Sequence, residues 1–225
     1  MNFAGLSSLP IQPLFCPTWY RAIPPPFATA PVPPRGFTHT VATRYNAGDG
    51  QAPHHRFDAL YLAEDPRTCL FEFGALLGTP LRPSWSVSNP GRPVSVVRFT
   101  ISNQTMVVDL TDPAVSEPIL GLTAQHLTGD WEGYRRRGRA SSSAMLPLGI
   151  APTQQLGRAL YALHVRGALD GFITFSARVP TQHVLILFDP FKKDGKPRLE
   201  LAKYEEIDLE RFLQEQPRPS RGLHR

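Results

Sequence analysis

Between Ala59 and Gly78 an apolar run passes into a helix signal with no loop between them, and that junction constrains the fold more than any other part of the chain. Ala59, Leu60, Tyr61, Leu62 and Ala63 have the aromatic and aliphatic content of a short buried strand. Asp65 then offers a side-chain cap, Pro66 suits a first helical turn, and Gly78 suits the far end. On that helix Cys69, Leu70, Phe73, Leu76 and Leu77 form one apolar stripe, and Glu72 lies at its edge. The reading predicts a strand running straight into a helix, with a carboxylate that borders the core without entering it.

The rest of the chain supplies strands and loops around this junction. Trp19, Tyr20, Arg21, Ala22 and Ile23 read as an earlier strand, and residues 24–34 hold too many prolines for a helix or a central strand. A long polar turn with Gly48, Gly50, His54 and His55 separates Arg44 from Ala59. Residues 94–101 and 106–110 are β-rich, and Ser102, Asn103, Gln104 and Thr105 between them predict a hairpin. In the first of these runs Val97, Phe99 and Ile101 face the core while Arg98 and Thr100 face away. Thr153 is expected to cap a helix over residues 153–166 that Gly167 ends. Residues 172–175 predict a strand that delivers Ser176 at its end, residues 183–188 another strand, and residues 204–214 a short amphipathic helix.

Composition bounds the class of molecule. A chain of 225 residues, 41% hydrophobic, can bury a sizeable core, and one domain is expected. We read residues 1–18 as an N-terminal arm, 19–190 as the main domain and 191–225 as an extension packed on it. The 24 basic residues exceed the 19 acidic ones, and the net charge of +5 favours an anionic ligand. Two cysteines, Cys16 and Cys69, are too few for a disulfide framework, so a reducing cytoplasm is expected. No secretion signal and no run of membrane-spanning length is read in the sequence.

Several short blocks in fixed order carry a resemblance. Arg44-Tyr45-Asn46, Leu60-Tyr61-Leu62-Ala63-Glu64-Asp65-Pro66 and Glu72 are followed by Leu127-Thr128-Gly129-Asp130-Trp131, Pro152-Thr153-Gln154, Asp170-Gly171 and Ser176-Ala177-Arg178. This series resembles the RES domain, named for its arginine, glutamate and serine, and departs from it at Thr43, where family members commonly carry glycine. The resemblance implies an α+β fold with an ADP-ribosyltransferase-like mixed sheet and flanking helices. It also implies an NAD+-consuming enzyme without a metal, often the toxin of a bacterial toxin–antitoxin pair. A helix-turn-helix antitoxin would then be the partner, and contact with nucleic acid would run through it.

The residue types fit that chemistry. Breaking the nicotinamide–ribose bond develops positive charge on the sugar, so the protein has to orient the substrate and favour that charge. Glu72 can accept from a ribose hydroxyl beside the anomeric carbon, and Arg44 offers a planar fork for a phosphate or ribose oxygen. By resemblance, Arg21 helps to hold the dinucleotide, Tyr61 meets the nicotinamide or the cofactor, and Ser176 binds and positions the ribose or the amide. Water, phosphate or a protein side chain could accept the ribosyl group, giving an NAD+ glycohydrolase, a phosphorylase or an ADP-ribosyltransferase. Two rival readings stand beside this one. Arg135, Arg136, Arg137 and Arg139 could contact nucleic acid, and His54, His55 and Asp58 could hold a metal, although their spacing matches no metalloenzyme signature.

Overall fold

The computed structural model describes residues 4–77, 86–87, 93–129, 150–190 and 199–215. Its strands are β1 (Gln12–Pro13), β2 (Thr18–Ile23), β3 (Ala59–Ala63), β4 (Leu76–Leu77), β5 (Ser86–Val87), β6 (Val94–Ile101), β7 (Met106–Asp109), β8 (Gly171–Phe175), β9 (His183–Phe188) and β10 (Leu199–Ile207). Its helices are α1 (Pro66–Phe73), α2 (Pro113–Leu120), α3 (Ala124–Thr128), α4 (Pro152–Val165) and α5 (Leu209–Glu215). Eight strands form one sheet in the order β1-β7-β8-β9-β3-β2-β6-β10. The β7–β8 pair is parallel and the others are antiparallel, so the sheet is mixed and the fold is α+β.

β3 sits inside this sheet, and the period-two geometry of a strand decides what each of its side chains meets. Leu60 and Leu62 pack with Trp19, Val97, Phe99, Leu185 and Leu187. Ala59 and Tyr61 point to the opposite side, into a cluster with Tyr45, Phe172, Ile186, Phe188 and the inner residues Leu156 and Leu160 of α4. Both faces of β3 are therefore covered, which is why it reads as an unbroken apolar run.

The junction after β3 forms as its residues dictate, with an earlier end than expected. The Asp65 carboxylate accepts from the Thr68 backbone N–H at 2.9 Å and from its hydroxyl at 2.5 Å, capping α1. Gly74, at φ +79°, stops the helix after Phe73. Leu76 and Leu77, read as part of the helical stripe, belong instead to the small ribbon of β4 and β5, and Gly78 lies outside the described residues. Thr68, Cys69, Leu70 and Phe71 are the buried residues of α1, and Glu72 follows directly after them.

Two further expectations are corrected. β6 and β7 exist, but they do not form a hairpin. Both edges of β6 are taken, by β2 and by β10, so the Ser102–Thr105 turn sends β7 across to the other end of the sheet beside β8. Residues 204–207, read as helix, complete β10, and the helix starts at Leu209. The predicted burial along β6 holds: Val97, Phe99 and Ile101 are buried and Arg98 and Thr100 are exposed. Residues 4–14 join the same structure, with Leu9 and Leu14 buried and β1 paired to β7.

Candidate functional site

Because α1 ends one residue past Glu72, its carboxylate emerges at the edge of the core beside a cavity of about 720 Å3. β2, β3, α1, the end of α3 and the loop carrying Arg44 wall this cavity. Glu72 is held firmly there. Its Oε1 accepts from the Ser176 hydroxyl at 2.5 Å, from Ala177 N at 3.0 Å and from Arg178 N at 3.4 Å. Its Oε2 faces Arg44 Nη2 at 3.6 Å. That separation makes an ion pair without a hydrogen bond, so Oε2 keeps free lone pairs.

Arg44 is 8% exposed and sits in a tight turn in which Thr43 N donates to Asn46 O at 2.7 Å. Its Nη1 donates to Phe175 O at 3.1 Å, while its buried Nε has no hydrogen-bond partner among the described residues. A guanidinium donor buried without a partner is costly. Arg21 also lines the cavity, tethered through Nη1 to Pro31 O at 2.9 Å in the proline-rich loop. Desolvation pushes its pKa down to about 10, which leaves it charged at neutral pH. Among the described residues no carboxylate pairs with it.

The Tyr61 hydroxyl is spent on the Arg44 turn. It lies 2.6 Å from Thr43 Oγ1 and accepts from Tyr45 N at 3.1 Å, so the ring is the part left to the cavity. Burial pushes its pKa up to about 12, keeping it a neutral phenol that can serve both partners. Thr43, where the resembling family commonly has glycine, thereby gains a specific role: its hydroxyl also accepts from Asn46 N at 3.1 Å.

A family model, described as the RES domain, matches residues 18–209. The chain belongs to the RES domain family. Among solved structures, the M. tuberculosis MbcT–MbcA toxin–antitoxin complex contains a similar chain, with a TM-score of 0.57 and 16% identity over 91% of each chain. That likeness concerns the fold. A search of the curated proteins found no match.

Within this RES domain the five residues singled out in the sequence do not stand alike. Arg21, Arg44, Tyr61 and Glu72 all line the cavity, whereas Ser176 has no exposed surface and is not among the lining residues. Its hydroxyl donates to Glu72 and accepts from Arg178 N at 3.2 Å and Val179 N at 2.9 Å, which places it behind the carboxylate. Sequence reasoning passed over Arg178, an exposed arginine that lines the cavity and pairs with no carboxylate among the described residues. It also passed over Thr128 and Gly129 at the end of α3. All three lie inside the short blocks that carried the resemblance, so the signal was present in their order along the chain.

The rival readings fare differently. Asp58 turns its carboxylate to Gly36 N, Thr38 N and the Thr38 hydroxyl, while His55 meets Arg158, so the trio of His54, His55 and Asp58 does not converge. His39, Asp58 and Asp189 do offer ligand atoms within 4.8 Å of one another, but both carboxylates are already occupied by protein donors. The basic run at residues 135–139 lies outside the described residues. Thr153 does not cap α4, since Ala151 holds that position. The buried Thr153 hydroxyl has no partner among the described residues.

Proposed function

We propose that this RES domain consumes NAD+ by cleaving its nicotinamide–ribose bond, and that it acts as the toxin of a toxin–antitoxin pair. The observation that carries this reading is the pairing of Glu72 and Arg44 in the wall of a cavity that also holds two arginines, Arg21 and Arg178, which pair with no carboxylate among the described residues. A dinucleotide brings a pyrophosphate for the guanidiniums and a sugar for the carboxylate. Family membership supports the same assignment.

The chemistry follows from the fixed carboxylate. With Oε1 held by Ser176 and two backbone N–H groups, Oε2 accepts from a ribose hydroxyl and sets negative charge beside the anomeric carbon. As the glycosidic C–N bond breaks, its electron pair leaves with nicotinamide, neutralising the pyridinium. The oxocarbenium-like sugar is stabilised by Glu72 until an acceptor adds. Arg44 and Arg21 hold phosphate or ribose oxygens, and the Tyr61 ring lies against the nicotinamide. Water as acceptor makes a glycohydrolase and phosphate a phosphorylase. A protein side chain makes a mono-ADP-ribosyltransferase, and the first bond cleavage is common to all three.

A helix-turn-helix antitoxin is the partner in this reading; the similar fold in the MbcT–MbcA toxin–antitoxin complex supports an antitoxin partner. No helix among the described residues is long and apolar enough to cross a membrane. We place the protein in the cytoplasm, where its cysteines stay reduced. Incubation with NAD+, with the products identified by mass, tests the reading. Nicotinamide is expected to appear with ADP-ribose or a phosphorylated or protein-linked ADP-ribose, and Glu72→Gln should slow its release by roughly 100-fold or more without changing the melting temperature. Intact NAD+ under all conditions would overturn the assignment and favour a nucleic-acid-binding module using residues 135–139.

A further inference from the structure

We propose that Gln154 is the positioning residue that aims Arg44, an inference that rests on the NAD+ reading above. Gln154 is 2% exposed, and its whole amide is spent on main chain. Its Nε2 donates to Thr43 O at 2.8 Å and to Asn46 O at 3.3 Å, the carbonyls on either side of Arg44 and Tyr45. Its Oε1 accepts from Ala151 N at 3.0 Å, one turn back on its own helix. A single carboxamide thus fastens both ends of the Arg44 turn to the first turn of α4.

The polarity of the contact is specific to an amide. Two carbonyls need a donor and one backbone N–H needs an acceptor, which neither a carboxylate nor an apolar side chain supplies together. The contact matters because little else fixes the guanidinium. Arg44 has a loose ion pair to Glu72, one hydrogen bond to Phe175 O, a guanidinium carbon 5.9 Å from the Tyr45 ring centroid and, among the described residues, no partner for Nε; since Tyr45 belongs to the same turn, the backbone of that turn sets the aim. Gly157, one turn further along α4, has no room for a Cβ against Tyr45 O and keeps the helix pressed against the same turn. Gln154 does not itself line the cavity; it reaches the lining only through main chain, at the Thr43 carbonyl, so it acts on the site through the turn that carries Arg44.

A double-mutant cycle separates aiming from general support. Gln154→Met keeps the volume and removes the hydrogen bonds. It is expected to raise KM for NAD+ about tenfold while kcat stays within about threefold, because uniform binding of a phosphate or ribose oxygen is what a misaimed Arg44 loses. In an Arg44→Ala background the same change should cost less than about twofold, there being no guanidinium left to aim. The neighbouring Thr153→Val should leave KM unchanged. Equal losses from Gln154→Met in both backgrounds, or kcat and KM moving together with a falling melting temperature, would overturn the proposal. Should Gln154→Met prove too unstable to purify, Gln154→Asn, one methylene short of the Thr43 carbonyl, must show the same KM shift. The magnetic-resonance signal of the Arg44 Nε–H group gives a readout without substrate: it should broaden in Gln154→Met and stay sharp in Thr153→Val. Failure of the wild type to release nicotinamide sinks the NAD+ reading alone, whereas an unchanged Nε–H signal sinks the role of Gln154.

Discussion

Ser176 donates to Glu72 from a position with no exposed surface, and this one contact changes what its residue type can mean. A serine after an apolar strand invites assignment to substrate binding, yet here the hydroxyl shares the turn that holds the carboxylate. We expect Ser176→Ala to lower kcat about tenfold and to move KM little, since a loosened Oε1 matters most when charge develops on the sugar. A rise in KM at constant kcat, measured by nicotinamide release, would return Ser176 to direct contact with substrate. Glu72 and Arg44 were legible in the sequence through their residue types and their order. The orientation of Ser176 was not, because it depends on hydrogen bonds between β8 and a helix 104 residues earlier in the chain.

At the scale of elements, local signals placed the strands well and their partners poorly. Asp65-Pro66 marks a helix start through short-range bonds alone, so the junction after β3 could be read directly. The hairpin expected between β6 and β7 failed because a turn signal fixes only the turn. Which edge a strand joins depends on β2 and β10, far away in sequence. α4 shows how such long-range fit is built in. A Cβ on Gly157 would come 2.0 Å from Tyr45 O, a distance no packed structure accepts. Gly157→Ala should therefore destabilise the protein by about 1–3 kcal/mol despite alanine's better helix propensity. It should also weaken NAD+ binding by lifting the helix from the Arg44 turn. Chemical denaturation and a binding titration check both effects, and a neutral or stabilising alanine would contradict the contact.

At the scale of the whole molecule, Asp189 gathers the parts of the fold that share no sequence neighbourhood. It follows β9, accepts from Asp58 N at 3.3 Å beside β3 and from Tyr161 Oη at 2.9 Å on α4, and lies 3.5 Å from His164. Its φ of +38° is unusual for a residue other than glycine, although aspartate and asparagine tolerate that region better than most. Burial alone would raise its pKa, but the bonds from His164 and Tyr161 outweigh burial and hold it below the ordinary 3.8. The native state therefore binds fewer protons than the unfolded chain just below that value, so stability rises with pH there. The contribution is complete above the unfolded pKa and is lost as pH falls through the folded one. Acidification also adds positive charge to a chain already at +5, which steepens the same limb. Asp189→Asn keeps the shape and tolerates the backbone angle while removing the charge. It should lower stability at neutral pH by about 1 kcal/mol, a modest figure because the carboxylate is partly exposed to solvent. Between about pH 5 and pH 2 its stability should fall less steeply than that of the wild type. Parallel acid limbs in the two proteins, followed by urea denaturation at each pH, would show that Asp189 does not carry this linkage and that the charge joining β3, β9 and α4 contributes nothing to their cohesion.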